Sequence, residues 1–235
     1  MVKLGNFLFH YRNFIFPLFY LLLFIPSPLL FSNSLSTTVA GLIVATGGQL
    51  IRALTIGLVY IVRGGKDRRI YAEGLVTTGI FSHCRNPLYV GNILVIIGLG
   101  MVANSIYFLL IAIPLFIFFY QAIVRAEENF LQNKFGYAFT EYMQTVNRWL
   151  PNMNGISHTL KSMNFNWHRV LVKEYNSTYI WMTGAVLLII RNDYFQNEKE
   201  SFMLRFPVYI IILSIVLACY LFIRYMKKSG KWWGD

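Results

Sequence analysis

The chain has 235 residues, of which 56% are hydrophobic and only 13% are charged. An average soluble domain is roughly a quarter charged, so this composition excludes a water-soluble globule and predicts an integral membrane protein. The net charge of +11 does not indicate a nucleic-acid partner, because such a protein needs a soluble basic face.

Apolar runs long enough to cross a bilayer follow one another along the chain, since a spanning helix takes about 20 apolar residues. Four are long and a fifth is shorter, in the order 14–31, 37–62, 89–124, 178–190 and 206–223. The third run contains a polar turn at Asn104 and is long enough for two helices, so we expect a helical hairpin over 89–124. The pattern predicts an all-α, polytopic membrane bundle of about six transmembrane helices.

The basic residues sort to one side of this arrangement, as the positive-inside rule requires. Seventeen of the 21 Lys and Arg residues lie in the N-terminus, the loop 63–88, the segment 125–175 and the C-terminal tail. Loop residues Arg63 and Lys66 belong to this set, and tail residues Trp232 and Trp233 indicate a membrane-surface anchor. We therefore expect a multi-pass protein with both termini, and its active site, facing the cytoplasm.

The polar stretch 125–175 is the main compositional break and predicts two parts. Residues 1–151 would form the functional membrane core, with its motifs in 41–151. Residues 152–235 would form a C-terminal extension with two transmembrane helices. Whether these two helices enclose a substrate or form a homodimer face stays open.

The first informative polar segment runs from Leu75 through Arg85-Asn86-Pro87 to Gly91. The residue before proline avoids the α region, and proline suits the first turn of a helix, so a helix should start near Leu88. A helix N-terminus beside Arg85 is suited to a carboxylate or another anion. An ordinary helix start with a solvated arginine explains the pattern equally well.

The second informative segment holds Glu127 and Glu128, at the membrane end of an apolar helix. An ionised carboxylate there is costly unless it faces water, a cation or a ligand. Adjacent helical residues point about 100° apart, so one glutamate can face the bundle while the other faces solvent. A water-exposed helix end neutralised by Arg125 is the alternative to a carboxylate that binds a cationic cofactor. We favour the second interpretation.

Three further positions have two interpretations each. Gly98 and Gly100 in the hairpin indicate close helix packing, or a ligand pressed against bare backbone. Arg52, a cation deep in a span, is a functional residue by default, or an arginine bound to a carbonyl or to Gln49. The four His and two Cys residues show no metal-ligand spacing, so no metal site is predicted.

Together these residues resemble the isoprenylcysteine carboxyl methyltransferase and phospholipid methyltransferase family of membrane enzymes. The similarity covers about 41–151. It is strongest in Arg85-Asn86-Pro87-Leu88-Tyr89-Val90-Gly91 and from Glu127-Glu128 to Pro151.

The resemblance implies methyl transfer from S-adenosylmethionine to a lipidic or prenylated acceptor that enters from the bilayer. The cofactor-binding residues it implies are Gly74, Leu75, Val76, Phe81, Asn86, Pro87, Leu88, Tyr89, Gly98, Gly100, Glu127 and Glu128. Many family members have His where this chain has Asn86, so a catalytic base at this position is not expected. The substrate arginine of eukaryotic members aligns with Ile123, which leaves Arg125 or Arg52 as the substrate-binding candidates.

Transfer of a methyl group from a sulfonium centre needs a nucleophile in line with the bond that breaks. The rate of such a reaction comes mostly from positioning the two reactants. A carboxylate needs no deprotonation at neutral pH, whereas an amine does, so the sequence favours an anionic oxygen or a thiolate over an amine acceptor. Two other functions stay open. One is an NADPH enzyme resembling membrane sterol reductases, and the other is a carrier or inactive family member.

Overall fold

The computed structural model describes residues 1–31, 33–59, 65 and 68–232. Within these ranges the chain is helical and contains no β-strand, which confirms the all-α prediction. The helices are α1 Val2–Tyr20, α2 Ser34–Leu58, α3 Pro87–Val102, α4 Ile113–Phe135, α5 Tyr137–Thr145, α6 Ile156–Ser162, α7 Trp167–Gln196 and α8 Lys199–Lys228. Arg63, Lys66 and Trp233, which enter the topology prediction, lie outside the described residues.

Among the described residues, four helical stretches are long and apolar enough to cross a membrane: Val2–Phe24, Ser34–Leu58, Phe108–Phe135 and Lys199–Lys228. Helix α3 is apolar but shorter, and α7 is long but carries polar residues in its first half. The membrane character is therefore confirmed. Six spans and cytoplasmic termini remain predictions.

The first helix begins at Val2, although the apolar run that predicts it begins at residue 14. Polar residues of the first turns, such as His10 and Arg12, interrupt the hydropathy without interrupting the helix. Pro26 and Pro28 follow the 3₁₀ turn Leu21–Phe24 and keep the chain extended before α2. The Asn33 side chain then caps α2 by accepting a hydrogen bond from the Ser36 amide at 3.1 Å.

Helices α2 and α3 pack backbone to backbone through glycines. A Cβ atom on Gly48 would lie 2.5 Å from the Gly91 carbonyl oxygen, and one on Gly98 would lie 2.5 Å from the Gly41 carbonyl oxygen. Such small residues let transmembrane helices approach closely. This contact fixes α3, whose first turn carries much of the candidate site.

The turn of the predicted hairpin lies at the end of the bundle away from α3's first turn. Asn104 adopts a left-handed conformation there, with φ of 48°, and is 1% exposed. Its Oδ1 accepts from the amides of Leu30 and Phe31 at 3.1 Å, and its Nδ2 donates to the Phe31 carbonyl at 2.8 Å. The hairpin therefore also holds the chain between α1 and α2.

Candidate active site

A cavity of about 850 Å³ opens between α1, α2, α3, α4, α7 and the segment before α3. This volume is within the range of about 300–1,000 Å³ that small-molecule sites occupy. Ten of the twelve predicted cofactor residues line it: Gly74, Leu75, Val76, Phe81, Asn86, Pro87, Leu88, Tyr89, Glu127 and Glu128. The chain therefore brings its two motif segments to one cavity, while their cofactor role stays a prediction.

Gly98, Gly100 and Arg125 are absent from the described lining of this cavity. Gly98 packs on α2, and a Cβ atom on Gly100 would lie 2.8 Å from a ring carbon of Phe108. Both glycines therefore pack against other parts of the protein and do not line the cavity. Arg125 is exposed on the outer face of α4.

The loop that enters α3 is held by the chain that follows α5. The Arg85 amide donates to the Asn147 carbonyl at 2.9 Å, and the Asn86 side-chain amide donates to the Arg148 carbonyl at 3.1 Å. Tyr142 completes the contact by donating its hydroxyl hydrogen to the Phe81 carbonyl at 2.7 Å. Because Pro87 occupies the first turn of α3, this loop places the helix N-terminus at the cavity wall.

The two adjacent glutamates have different partners. Glu127 accepts a hydrogen bond from the Tyr89 hydroxyl at 2.8 Å and makes no ion pair with any residue in the described ranges. Glu128 is 8% exposed and is bound at both oxygens by Arg148, at 2.9 and 2.7 Å, with Arg85 Nη1 at 3.3 Å. Glu127 is therefore the carboxylate available to a ligand, and Glu128 holds the cavity wall together.

Arg52 lies at the cavity and is bound to a residue of the C-terminal extension. Its Nε and Nη2 atoms each donate to the carboxylate of Glu174 at 2.8 Å, and its Nη1 donates to Asn92. Arg52 is 7% exposed and Glu174 is 2% exposed. The predicted alternative partner Gln49 is also present, but it donates to Glu174 at 3.1 Å instead of binding the arginine.

A comparison of the sequence with known protein families shows which family these motifs match. Residues 36–138 match the phospholipid methyltransferase family. The match confirms the resemblance seen in the sequence and assigns the α2–α4 region, with Tyr89 and Glu127, to a family of methyltransferases. It ends before α7, so Glu174 lies outside the family region.

Two curated relatives are similar to the chain. One is the cobalt-zinc-cadmium resistance protein CzcN of Cupriavidus metallidurans, 32% identical over 136 residues, which are 56% of this chain and 60% of the relative. The other is the nickel-cobalt-cadmium resistance protein NccN of Alcaligenes xylosoxydans xylosoxydans, 34% identical over 109 residues, which are 43% of this chain and 51% of the relative. The chain thus spans little more than half the length of these relatives. No solved structure matches it significantly.

Burial shifts the pKa values of two neighbouring groups in the loop before α3, Cys84 and Arg85. It raises the pKa of the Cys84 thiol, although hydrogen bonding and the nearby Arg85 charge oppose the shift. Burial also lowers the pKa of the Arg85 guanidinium, and the attraction of Glu128 offsets part of that change. An arginine stays protonated even so. Arg85 therefore faces the cavity as a cation, whereas Cys84 is 0% exposed, is not part of the described cavity lining, and keeps a neutral thiol that is not a nucleophile.

Sequence reasoning missed two partners of these site residues, Glu174 for Arg52 and Arg148 for Glu128. Arg148 stands in the quoted motif but is 20 residues from its partner, and Glu174 is 122 residues from Arg52. Glu174 gave no local signal, because it stands beside Lys173 and Asn176 in a polar stretch before the apolar run 178–190. Among the described residues, no group of three His, Cys, Asp or Glu side chains is placed to hold a metal ion.

Proposed function

We propose that the chain is an integral membrane methyltransferase that uses S-adenosylmethionine and acts on a lipophilic acceptor at the cytoplasmic face. The observation that supports this most directly is Glu127, a carboxylate without an ion pair among the described residues, fixed by Tyr89 inside a ligand-sized cavity. This pair lies in the region that matches the methyltransferase family. Glu127 is half-buried, and a carboxylate partly withdrawn from water is suited to hydrogen-bond donors of a ligand.

The residues of the cavity fit the chemical parts of this cofactor. Glu127 accepts hydrogen bonds from hydroxyl or ammonium groups. Leu75, Val76 and Phe81 offer apolar surface to an aromatic base. Arg85, beside the N-terminus of α3, suits a carboxylate. When bound, S-adenosylmethionine would supply an electrophilic methyl group on a sulfonium centre.

The protein's part in this reaction is positioning. Asn86 is bound to the Arg148 carbonyl, and Glu128 is bound by two arginines, so neither is placed as a general base. Tyr89 orients the Glu127 carboxylate toward the cavity. Because orientation can supply most of such a rate, we favour acceptors that need no base, a carboxylate or a thiolate, over an amine.

Calorimetry with S-adenosylhomocysteine in detergent tests the cofactor site. We expect Glu127→Ala to weaken binding at least tenfold and Glu141→Ala, an exposed glutamate on α5, to leave it unchanged. Equal effects of the two substitutions would remove Glu127 from the site. Binding of NADPH without binding of S-adenosylhomocysteine would instead favour the reductase alternative.

Transfer of label from radioactive S-adenosylmethionine to a native lipid extract tests the reaction and its acceptor. A labelled product in the organic phase supports the proposal. Its stability to mild base separates an ester, formed from a carboxylate, from thioether and amine products. Cofactor binding with no label in any lipid fraction would favour an inactive family member.

The names of the two relatives place them in resistance to divalent metal ions. We propose the same physiological setting for this chain, with methylation of a membrane component as its contribution. Cells that express the wild-type chain should tolerate cobalt or cadmium better than cells that express Glu127→Ala at the same level. Equal tolerance would separate the methyltransferase activity from metal resistance.

A further inference from the structure

A second cavity, of about 390 Å³, lies between α1, α4 and the segment that precedes Tyr71. Phe9, Ile70 and Phe130 line both this cavity and the candidate active site, so they form an apolar partition between the two. Neither glutamate of the candidate active site is in the described lining of the second cavity. The second cavity is therefore a separate compartment, to which neither the family motifs nor the proposed reaction gives a role.

The helices contribute polar side chains to the second cavity in pairs one turn apart. These pairs are Asn6 and His10 on α1, and Asn129 and Asn133 on α4. The two helices are in close contact beside them, since a Cβ atom on Gly5 would lie 2.0 Å from the backbone of α4. The three asparagine side chains make no hydrogen bond to any described residue. Their amide groups are therefore available as donors to a ligand.

Two consecutive arginines, Arg68 and Arg69, bring positive charge to the same cavity. Arg68 adopts a left-handed conformation with φ of 59°, which is uncommon for a residue other than glycine. Both arginines are exposed, and neither side chain makes an ion pair or a hydrogen bond with a described residue. The described lining of the cavity contains no Asp or Glu. The charge of these arginines is therefore not compensated within the described cavity.

Two guanidinium groups beside three amide groups match a phosphate group. Phosphate carries up to two negative charges on three or more acceptor oxygens, and arginine binds it through paired hydrogen bonds. A carboxylate has two acceptor oxygens, fewer than the donors of this cavity, and an ammonium group would be repelled. The positive-inside rule explains arginines in this loop, but it does not explain the asparagines that line the same cavity from α1 and α4.

A lipid headgroup and a free phosphate in solution both carry this chemistry. An exposed apolar stripe runs along α1 and consists of Phe7, Tyr11 and Phe14. Phe7 and Tyr11 directly follow Asn6 and His10, so the stripe borders the cavity. An acyl chain on this stripe would place its phosphate group in the cavity, which favours the lipid as the source.

The second cavity is also linked to the wall of the candidate active site. Residues 70–76 line that site, and they directly follow Arg69. Lys134 on α4 holds this segment at one place by donating to the Ala72 carbonyl. A phosphate group bound by the two arginines and by the asparagines of α4 would hold the segment at a second place.

We infer that the second cavity binds a phosphate group as an effector, and that this binding fixes the segment 70–76 in the wall of the candidate active site. The phosphate is not the methyl acceptor, because Phe9, Ile70 and Phe130 separate it from Glu127. The importance of the fixed wall for the cofactor rests on the proposed function, whereas the phosphate site itself does not.

Native mass spectrometry of the protein in detergent tests the binding. The probes are dioleoyl phosphatidate and dioleoylglycerol, which lacks the phosphate. We expect the wild-type protein to bind one phosphatidate at concentrations at which dioleoylglycerol does not bind. Arg68→Gln combined with Arg69→Gln should weaken phosphatidate binding about tenfold. The matched control, Lys161→Gln combined with Lys228→Gln, removes two exposed cations elsewhere and should leave binding unchanged.

A neutral variant separates a specific site from general attraction to a basic surface. Asn129→Leu combined with Asn133→Leu changes no charge but removes two donors, so phosphatidate binding should weaken about threefold. An equal loss in the lysine control, or full binding in the asparagine variant, would overturn the inference. Displacement of phosphatidate by inorganic phosphate would identify free phosphate as the source, and its retention would identify the lipid headgroup.

Limited proteolysis tests the effect on the segment 70–76. Cleavage by chymotrypsin after Tyr71 requires this segment to leave its place, so phosphatidate should slow the cleavage about fivefold. The variant that lacks Arg68 and Arg69 should show no such protection. Cleavage at an equal rate with and without phosphatidate in the wild-type protein would overturn the effect on the segment.

Calorimetry with S-adenosylhomocysteine keeps this result distinct from the proposed function. If phosphatidate binds and protects Tyr71 but S-adenosylhomocysteine does not bind, the phosphate site stands and the methyltransferase proposal fails. If S-adenosylhomocysteine binds but phosphatidate neither binds nor protects, the cofactor site stands and the effector inference fails.

Discussion

The carboxylate of Glu174 on α7 binds both Nε and Nη2 of Arg52 on α2, each at 2.8 Å. Both side chains are less than 10% exposed, so the pair is withdrawn from water. Removing one partner would leave the other charge buried and unpaired, which is costly. The pair therefore does more to dock α7 than to offer the positive charge of Arg52 to a substrate.

Substitution of Glu174 should destabilise the protein strongly. Breaking a buried pair from one side costs about 3–5 kcal/mol, so Glu174→Ala should lower the thermal midpoint of the detergent-solubilised protein markedly. Glu174→Gln should do nearly as much, because it keeps the shape but leaves the arginine charge unpaired. Glu141→Ala, which removes an exposed carboxylate, should have little effect.

A double substitution separates the charge from the packing. Arg52→Met combined with Glu174→Leu removes both charges and keeps apolar volume, so it should recover much of the lost stability. If the double variant is as unstable as the sum of the single ones, the unpaired charge is not the cause. The same thermal measurement decides between these outcomes.

The sequence could predict the parts of the site whose signal is local. Pro87 marks the start of α3, and the Glu127–Glu128 pair marks the polar end of α4, because each breaks an apolar pattern at one place. The ion pairs of Arg52 and Glu128 join residues 122 and 20 positions apart. Periodicity indicates which residues are buried but not which partner lies opposite.

Helix α7 shows the same limit for a whole element. The apolar run predicts a short span over 178–190, whereas the helix extends over Trp167–Gln196. The polar residues of its first half have structural roles. Glu174 pairs with Arg52. The cavity is lined by Lys173, Asn176 and Ser177. Hydropathy therefore misses the turns of the helix that contribute to the site.

The hydrogen bond between Tyr89 and Glu127 should contribute to cofactor affinity. Tyr89→Phe removes the donor and leaves the ring in place, and a hydrogen bond is worth about 1 kcal/mol. We expect S-adenosylhomocysteine affinity to fall about fivefold while the thermal midpoint changes little. Tyr137→Phe, at a position that is 81% exposed, is the control. Unchanged affinity in Tyr89→Phe would show that Glu127 needs no orientation by tyrosine.

Close packing of α2 on α3 should make adjacent glycines respond differently to the same substitution. A Cβ atom on Gly48 would meet the Gly91 carbonyl oxygen at 2.5 Å, whereas one on Gly47 would meet nothing within 4 Å. Overpacking costs about 1–3 kcal/mol, so Gly48→Ala should lower the thermal midpoint. Gly47→Ala should be neutral or slightly stabilising, since alanine favours a helix over glycine. Equal midpoints for the two variants would contradict the helix contact.

The two cysteines should differ in reactivity, and the difference should depend on pH. Cys84 is 0% exposed and burial raises the pKa of its thiol, so less thiolate is present near neutral pH than for an ordinary cysteine. The thiolate is the reactive form, so alkylation of Cys84 should be slow and should accelerate at a higher pH than usual. Cys219 is exposed on the surface of α8, near the predicted cytoplasmic end of this span, so N-ethylmaleimide, which is apolar enough to enter a detergent micelle, should reach it first.

Counting the thiols that react with N-ethylmaleimide, by intact mass, checks this expectation. The folded protein in mild detergent should add one label at neutral pH and a second after denaturation in sodium dodecyl sulfate. Cys219→Ser should abolish the first label, and Cys84→Ser should abolish the second. Rapid labelling of Cys84 in the folded protein would mean that the loop between Phe81 and Pro87 opens. That result would also contradict the fixed position of the α3 N-terminus, on which the proposed cofactor site depends.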